Sequence, residues 1–465
     1  MSGRTWLDVT TILLWKRPAV GVVRVEGELA RWALGQLGDS IGFCRYDRVL
    51  RTFLSVPREQ VAACLALHEQ SGATRQESRL PQPPAATPRP RSKARRKRLA
   101  KAVRRFARRV SRALMAQASV SAAMRGEDKS RRNGPEQPGN NPEVPMDMCV
   151  IQRGDVYVSV GNDWHDKDLG RLDEHKRALG FRVMGICYDL IPIKFPHLTI
   201  ERIAAHFPQH LADLARVCDH VMCISACTRR DFLEHVESLG APLPETSVIV
   251  LGNDLSRKAG DAVPRVAGLE PSASVEPGSV AAIAQAPFVL FVSTIEGRKN
   301  HETLYKAWVR LIESGCSVPD LVCVGMRGWG VADLLERIAR DPKVSGRIHL
   351  LHGVSDAELA HLYKHCLYTV YPSLYEGWGL PVAESLAFGK FCLCSNAGSL
   401  TEAGGQFAEY LDPWDLPAWI ERIRFFSQNP AEIEIRNQRA AMHFRAQSWS
   451  DTSAAIVQRA RQLVR

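Results

Sequence analysis

A strand, a glycine-bearing turn and a helix are written almost without interruption between Leu367 and Gly389. The apolar run Leu367 to Tyr371 reads as a buried strand, and Pro372-Ser373 ends it. A loop, Leu374-Tyr375-Glu376-Gly377-Trp378-Gly379, follows. Pro381 suits the first turn of a helix, where its missing N–H forfeits no bond. Gly389 suits the stop. Such a junction gathers free backbone N–H groups at the positive end of a helix dipole, which makes it a place for phosphate. Two carboxylates, Glu376 and Glu384, flank the turn at Glu-x7-Glu spacing. One lies in the loop and one on the first helical turns, so both can face one cleft. On spacing alone they read equally well as solvated acids that complement the dipole.

The alternation recurs throughout. In the C-terminal half, strands are expected at Phe288–Val292, Leu321–Val324, Ile348–Leu351, Tyr368–Tyr371 and Phe391–Cys394. Helices are expected to begin near His301, Val331, Ser355, Pro381 and Leu400. In the N-terminal half, strands are expected at Val9–Leu14, Val156–Val160, His220–Ser225 and Ser247–Leu251, and Phe181–Pro192 reads as a strand closing in a polar turn, with Phe43–Leu54 mixed. Helices are expected up to Leu37 and over Arg58–Gln70, Lys167–Leu179, Ile200–Cys218 and Thr228–Ser238. Alternating strands and helices make parallel sheets with crossover helices the economical α/β fold. The stretch 256–286, rich in Pro, Gly, Ser and Ala, marks a boundary between two such domains. Two Rossmann-like, doubly wound domains would then face each other across a cleft, with ligand loops at the strand C-termini. The expected organisation is an N-terminal domain over 1–255, a linker over 256–286, a C-terminal domain over 287–445 and a last helix over 446–465.

The formal net charge of +11 is a local property. Residues 89–112 alone hold thirteen Lys or Arg and no acid, so the rest of the chain is close to neutral. This run sits inside an expected insertion, 71–145, whose flanks are rich in Pro, Ala, Gln and Ser. Within it, Leu99, Val103, Phe106, Val110 and Leu114 recur at helical spacing. The pattern is open between a solvated linker, a basic helix lying on an anionic membrane over 89–114, and a nucleic-acid arm. The membrane is favoured over nucleic acid. The 12 cysteines lack zinc or thioredoxin spacing and read as reduced thiols of a cytoplasmic protein. No apolar stretch reaches membrane-spanning length. Asp8, Glu26 and Glu28 among the first residues argue against a secretory leader.

Four stretches together resemble the retaining GT-B glycosyltransferases of family 4. They are Val292 to His301 with Arg298-Lys299, Val324 to Gly330, Gly353 to Leu359, and the Glu-x7-Glu stretch with Ser399 to Glu402 behind it. The resemblance covers the C-terminal half densely and the N-terminal half thinly. It implies a GT-B architecture and the transfer of a hexose from a nucleotide-sugar to a saccharide or lipid-linked saccharide in surface polysaccharide assembly. By the same resemblance Glu376 binds the donor sugar's hydroxyls and Glu384 the ribose. Arg298, Lys299 and the backbone of Gly377, Trp378, Gly379 and Leu380 would then hold the diphosphate. Such cations would stabilise charge growing on a departing nucleoside diphosphate. Loose similarity to mannosyl-transferring members points to GDP-mannose ahead of a UDP-hexose. Neither a resident cofactor nor a metal is expected, and retention implies front-face departure with the leaving phosphate taking the acceptor's proton. Gly21 to Glu26 resembles the family's Gly-x-x-Arg-Val loop, so Gly21 is a donor-side candidate. Tyr188-Asp189-Leu190-Ile191-Pro192 resembles a motif that more often begins with histidine. Asn300 and Ser225 read as helix caps, and Trp449 as core in a last helix that crosses back to the N-terminal domain. A GT-B sugar-nucleotide epimerase and a non-catalytic membrane-binding scaffold are the competing readings.

Overall fold

A computed structural model describes residues 3–15, 21–73, 149–255 and 280–464. The basic stretch 89–114, the expected insertion from residue 74 onward and the linker up to residue 279 lie outside the described residues.

The N-terminal sheet has seven strands, β1 (Thr5–Asp8), β2 (Ile41–Asp47), β3 (Thr52–Ser55), β4 (Val156–Val158), β5 (Arg182–Cys187), β6 (His220–Cys223) and β7 (Glu245–Val248). They are ordered β3-β2-β1-β4-β5-β6-β7. All neighbours run parallel except β2 and β3, which form a hairpin. The C-terminal sheet has six, β8 (Phe288–Val292), β9 (Asp320–Val324), β10 (Ile348–Leu351), β11 (Thr369–Tyr371), β12 (Cys392–Ser395) and β13 (Glu409–Leu411). Their order is β10-β9-β8-β11-β12-β13, all parallel. Helices on both faces bury the central strands completely, as the continuous apolar run Phe288–Phe291 requires. Each sheet reverses its winding once, between β1 and β4 and between β8 and β11. Ligand loops gather at such switch points.

One expected element is wrong. The run Val9–Leu14 is not the first strand. The strand is Thr5–Asp8, and Thr10–Leu14 is a short helix, α1. The Asp8 carboxylate accepts the Thr10 N–H at 2.9 Å and turns the chain out of the sheet. The Glu26 carboxyl accepts the Ile12 N–H at 2.8 Å. Buried Thr5 and Asp8 hide the strand, and so short an apolar run does not distinguish strand from helix. Smaller differences follow from edges. Phe43–Leu54 resolves into β2 and β3, and the last N-terminal strand ends at Val248 rather than Leu251. The helix Arg58–Ala73 runs just into the expected insertion. A turn of helix, Val280–Ile283, lies inside the expected linker and buries Ile283. The sequence offered no expectation for β13 or for the helices Leu416–Gln428 and Pro430–His443.

The helix α2 (Val22–Gln36) begins where Gly21 sits at φ 54°, beyond the reach of most L-residues. The helix α3 (Ala226–Ser238) starts at Ser225, whose hydroxyl accepts the Thr228 N–H, as expected of a cap. The helices α4 (Leu380–Ala387) and α5 (Leu400–Gly404) follow β11 and β12. The final helix, α6 (Trp449–Leu463), starts after Ser448, whose hydroxyl accepts the Asp451 N–H. Its Trp449, Ile456, Val457 and Ala460 join the core formed by Leu7, Val25 and Val156, so it packs on the N-terminal domain.

Candidate functional site

The two strands that flank the C-terminal switch point each deliver part of one charge cluster. The loop after β8 carries Glu296, Arg298 and Lys299, and the loop after β11 carries Ser373, Tyr375 and Glu376. The Glu376 carboxylate accepts from Lys299 Nζ at 2.6 Å and faces Arg298 at 2.8 Å. Tyr371 donates to it at 3.3 Å, and the Ser373 hydroxyl donates as well. Arg298 turns its other nitrogen to Glu296 at 2.8 Å and also donates to the Tyr375 carbonyl at 2.7 Å. Burial pushes the Glu376 carboxyl upward, but Arg298 and Lys299 outweigh it and hold the pKa down at about 2. It is a carboxylate at any physiological pH. Burial pushes the Lys299 ammonium down, and the Arg298 charge adds to that, against the pull of Glu376 and Glu296. Burial raises the Glu296 carboxyl, opposed by Arg298 and Lys299. Two cations and two carboxylates thus share a nearly closed site.

Glu384 lies in a separate contact. Arg24, on the first turn of α2, reaches across from the N-terminal domain to Glu384 at 3.2 Å and to Asp356 at 3.4 Å. The Tyr363 hydroxyl donates to the other Glu384 oxygen at 3.2 Å. Burial raises the Glu384 carboxyl, and Arg24 opposes the shift. Both acids of the Glu-x7-Glu pair are therefore buried and ion-paired, at 7% and 5% exposure, so neither is a solvated helix-start acid.

The intervening backbone is tightly fitted. A Cβ at Gly377 would come within 2.1 Å of the Tyr188 carbonyl oxygen, and one at Gly398 within 2.4 Å of the Glu376 carbonyl oxygen. Gly379, at φ 119°, opens α4. The Trp378 side chain is part of the N-terminal domain's core, and Leu380 packs against that core. Both side chains are taken up by that core, which leaves the backbone as what this stretch can present.

Gly21 is exposed, with open space where a Cβ would stand, so its geometry calls for glycine through φ rather than through a close approach. Residues 16–20, which precede it, lie outside the described residues. Asn300 stands at the helix start but does not cap it with its side chain. Its amide instead donates to the carbonyls of Pro372 at 3.1 Å and Pro413 at 2.9 Å, tying the β8 and β11 loops together. Tyr188 is buried and donates to the Val160 carbonyl at 2.5 Å.

Several residues at the site carried no expected role. Glu296 partners Arg298, and its spacing two residues ahead of a basic pair was the available signal. Asp189 faces Arg298, Glu376 and Lys299 from the N-terminal domain, and burial raises its carboxyl against the pull of Arg298. It follows Tyr188 in the Tyr188–Pro192 stretch. Arg24 lies in the Gly21–Glu26 stretch, but its partner is 360 residues away. The sequence also contains one Asp-x-Asp, Asp166-Lys167-Asp168. Its acids pair with Arg48 at 3.0 Å and Arg51 at 2.9 Å, and Lys167 is buried between Asp8 and Asp163. Among the described residues no cluster of His, Cys, Asp and Glu could hold a metal ion.

Residues 277–446 match the sequence model of the Glycosyl transferases group 1. The chain is 31% identical over 242 residues to the serotype-specific mannosyltransferase WbdA of Escherichia coli, a match that covers 51% of this chain and 29% of the relative. It is 32% identical over 176 residues to the O-antigen chain mannosyltransferase B of Escherichia coli, covering 38% of this chain and 46% of the relative. These matches span less than half the length of either relative. Sucrose-phosphate synthase from Thermosynechococcus elongatus shares the fold at a TM-score of 0.50 and 20% identity, over 66% of this chain and 73% of the other.

Proposed function

We propose that this chain, whose residues 277–446 belong to the group 1 glycosyl transferases, moves a hexose from a nucleotide-sugar to a saccharide or lipid-linked saccharide. The observation that carries the reading is the convergence of Arg298, Lys299 and Glu376 within 2.8 Å at a switch point. An incoming diphosphate replaces carboxylate oxygens as the partner of Arg298 and Lys299, a planar fork and a point charge. As the bond to the sugar breaks, negative charge grows on the leaving phosphate beside those cations, already fixed in a dry site. Glu376, so released, is free to accept from hydroxyls of the transferred sugar. Glu384 accepts from the ribose, which displaces Arg24. Backbone donors from Gly377 to Leu380 serve the diphosphate. Departure on the front face, with the leaving phosphate taking the acceptor's proton, retains the configuration without a second carboxylate nucleophile.

The names of the bacterial relatives support a mannosyl donor, GDP-mannose before a UDP-hexose, and a role in surface polysaccharide assembly. The basic stretch 89–114 fits an anionic membrane surface beside a lipid-linked acceptor. None of the helices among the described residues is long and apolar enough to cross a membrane.

A panel of nucleotide-sugars, read first by thermal protection and then by transfer or hydrolysis, tests the reading. GDP-mannose should protect most, and chelator should leave turnover intact. Glu376→Ala and Lys299→Ala should each lower kcat about a hundredfold or more, the usual scale for preorganised charge, with an unchanged circular dichroism spectrum. Near-native rates in both variants remove the site, and an isomerised nucleotide-sugar without transfer decides for an epimerase. Deleting residues 77–143 should abolish binding to vesicles of anionic lipid and spare transfer to a soluble acceptor.

A further inference from the structure

Glu376 is held on both sides by one helix of the opposite domain. The residue before it, Tyr375, donates its hydroxyl to Asp231 on the second turn of α3. The residue after it, Gly377, accepts at its carbonyl from the Thr228 hydroxyl at 3.1 Å, from the first turn of the same helix. The start of α3 is in turn fixed by the C-terminal domain. The Glu402 carboxylate accepts the N–H groups of Ala226 at 2.7 Å and Cys227 at 2.8 Å.

The two groups that reach the loop around Glu376 are buried. Asp231 and Thr228 are each 2% exposed. Lys194 binds the free Asp231 oxygen at 2.7 Å and stands 5.2 Å over the Tyr375 ring. The Phe195 ring lies 5.2 Å from that ring. Burial and the bond to Asp231 push the Tyr375 hydroxyl far up, so it keeps its proton and is the donor. A buried charge held this way is costly unless every partner is in place, which makes the arrangement specific to one relative position of the two domains.

We propose that Asp231 and Thr228 are positioning residues for transfer: from the seven-stranded domain they fix the backbone on either side of Glu376, so that its carboxylate is in place only when the two domains are together. The inference rests on the transfer reading above. It explains why α3 spends its first two turns on a loop of another domain. Arg298 and Lys299, the cations that face the diphosphate, come from the β8 loop; the clasp reaches that site through the Gly377 backbone and through the Tyr375 carbonyl to which Arg298 donates. Loss of the clasp should therefore weaken nucleotide binding slightly and lower the rate of transfer much more.

The test uses the full chain and compares Tyr375→Phe, Asp231→Ala, Asp231→Asn, Thr228→Val and Thr228→Ser. Calorimetric Kd values for GDP and UDP should stay within about threefold of wild type, while kcat falls about tenfold or more, the pattern of an interaction made in the transition state. Asp231→Asn and Thr228→Ser, which keep an acceptor and a hydroxyl, should recover part of the rate. The double variant Tyr375→Phe/Asp231→Ala should be no slower than the worse single, because the two side chains act as one unit. Additive losses, or kcat within about twofold of wild type in all variants, overturn the inference, as does an equal loss in Kd and kcat, which a merely misfolded loop gives. Wild-type protein that binds neither nucleotide and turns over no nucleotide-sugar overturns the transfer reading, and this inference with it.

Discussion

At Lys167 a single ammonium serves three carboxyl groups. Its Nζ is 2.7 Å from Asp8 and 2.8 Å from Asp163, and Glu26 stands behind them with one oxygen buried and unpartnered. Burial pushes Lys167 down, but Asp163 and Asp8 more than reverse that, so the cation persists. At Glu26 burial outweighs the compensation. Burial raises its carboxyl to about 8, with Lys167 opposing and Asp8 adding to the shift. The folded state therefore binds a proton at Glu26 that the unfolded chain releases near its ordinary value. That contribution to stability is complete below the unfolded pKa and is lost as pH rises through about 8. Thermal melts from pH 6 to 9 should show a falling Tm, and Glu26→Gln should flatten the slope while keeping the acceptor for the Ile12 N–H. An unchanged slope in the variant would show that the titrating group is elsewhere. Glu376 behaves in the opposite sense. Its pKa of about 2 means its ion pairs stabilise the fold down to strongly acidic pH and are lost only as pH falls through that value.

Turns and helix starts separate two kinds of glycine. Gly21 and Gly398 both have positive φ, at 54° and 64°. Gly21 faces open space, whereas a Cβ at Gly398 would strike the Glu376 backbone at 2.4 Å. Gly21→Ala should cost about 2 kcal/mol, the strain of the backbone alone. Gly398→Ala should cost more, about 3 kcal/mol with strain and displacement together, and should lower kcat through the shifted Glu376. Denaturant melts and kinetics on the pair check both. Elements like these were largely legible. Pro381 and Gly389 bracket α4, the helix start expected near Ser355 is there with a full capping box, and α6 follows Ser448. The failure at Val9–Leu14 is local in origin, since a single buried turn and a single buried strand leave the same apolar trace. Asn300 failed for another reason. Its cap position is real, but two carbonyls brought in by the β11 loop and by Pro413 claim the side chain.

Across the whole molecule the chain doubles back on itself. The helix α6 follows the C-terminal domain along the chain and packs on the N-terminal one. A Cβ at Gly252 would meet the Trp449 ring at 2.5 Å, so the fit there is close. Trp449→Ala should destabilise the protein by about 3–5 kcal/mol, as large aromatic truncations in cores do. Hydrogen exchange should place the loss in β1 and β4, the strands of its core, rather than in β12 and β13, which are nearer along the chain.

The sequence by itself determined the alternation of strands and helices, the two sheets, the basic character of one segment, and Arg298, Lys299, Glu376 and Glu384 as the residues to watch. Those features depend on neighbours within a turn or a strand, and local spacing carries them. Only the tertiary structure decided which groups meet. It joined Lys299 to Glu376 across 77 residues and Arg24 to Glu384 across 360. It also brought Asp189 to the charge cluster and placed α3 on both sides of Glu376. Such contacts are set by how two sheets wind and where they face, and no periodicity along the chain records a partner on another domain.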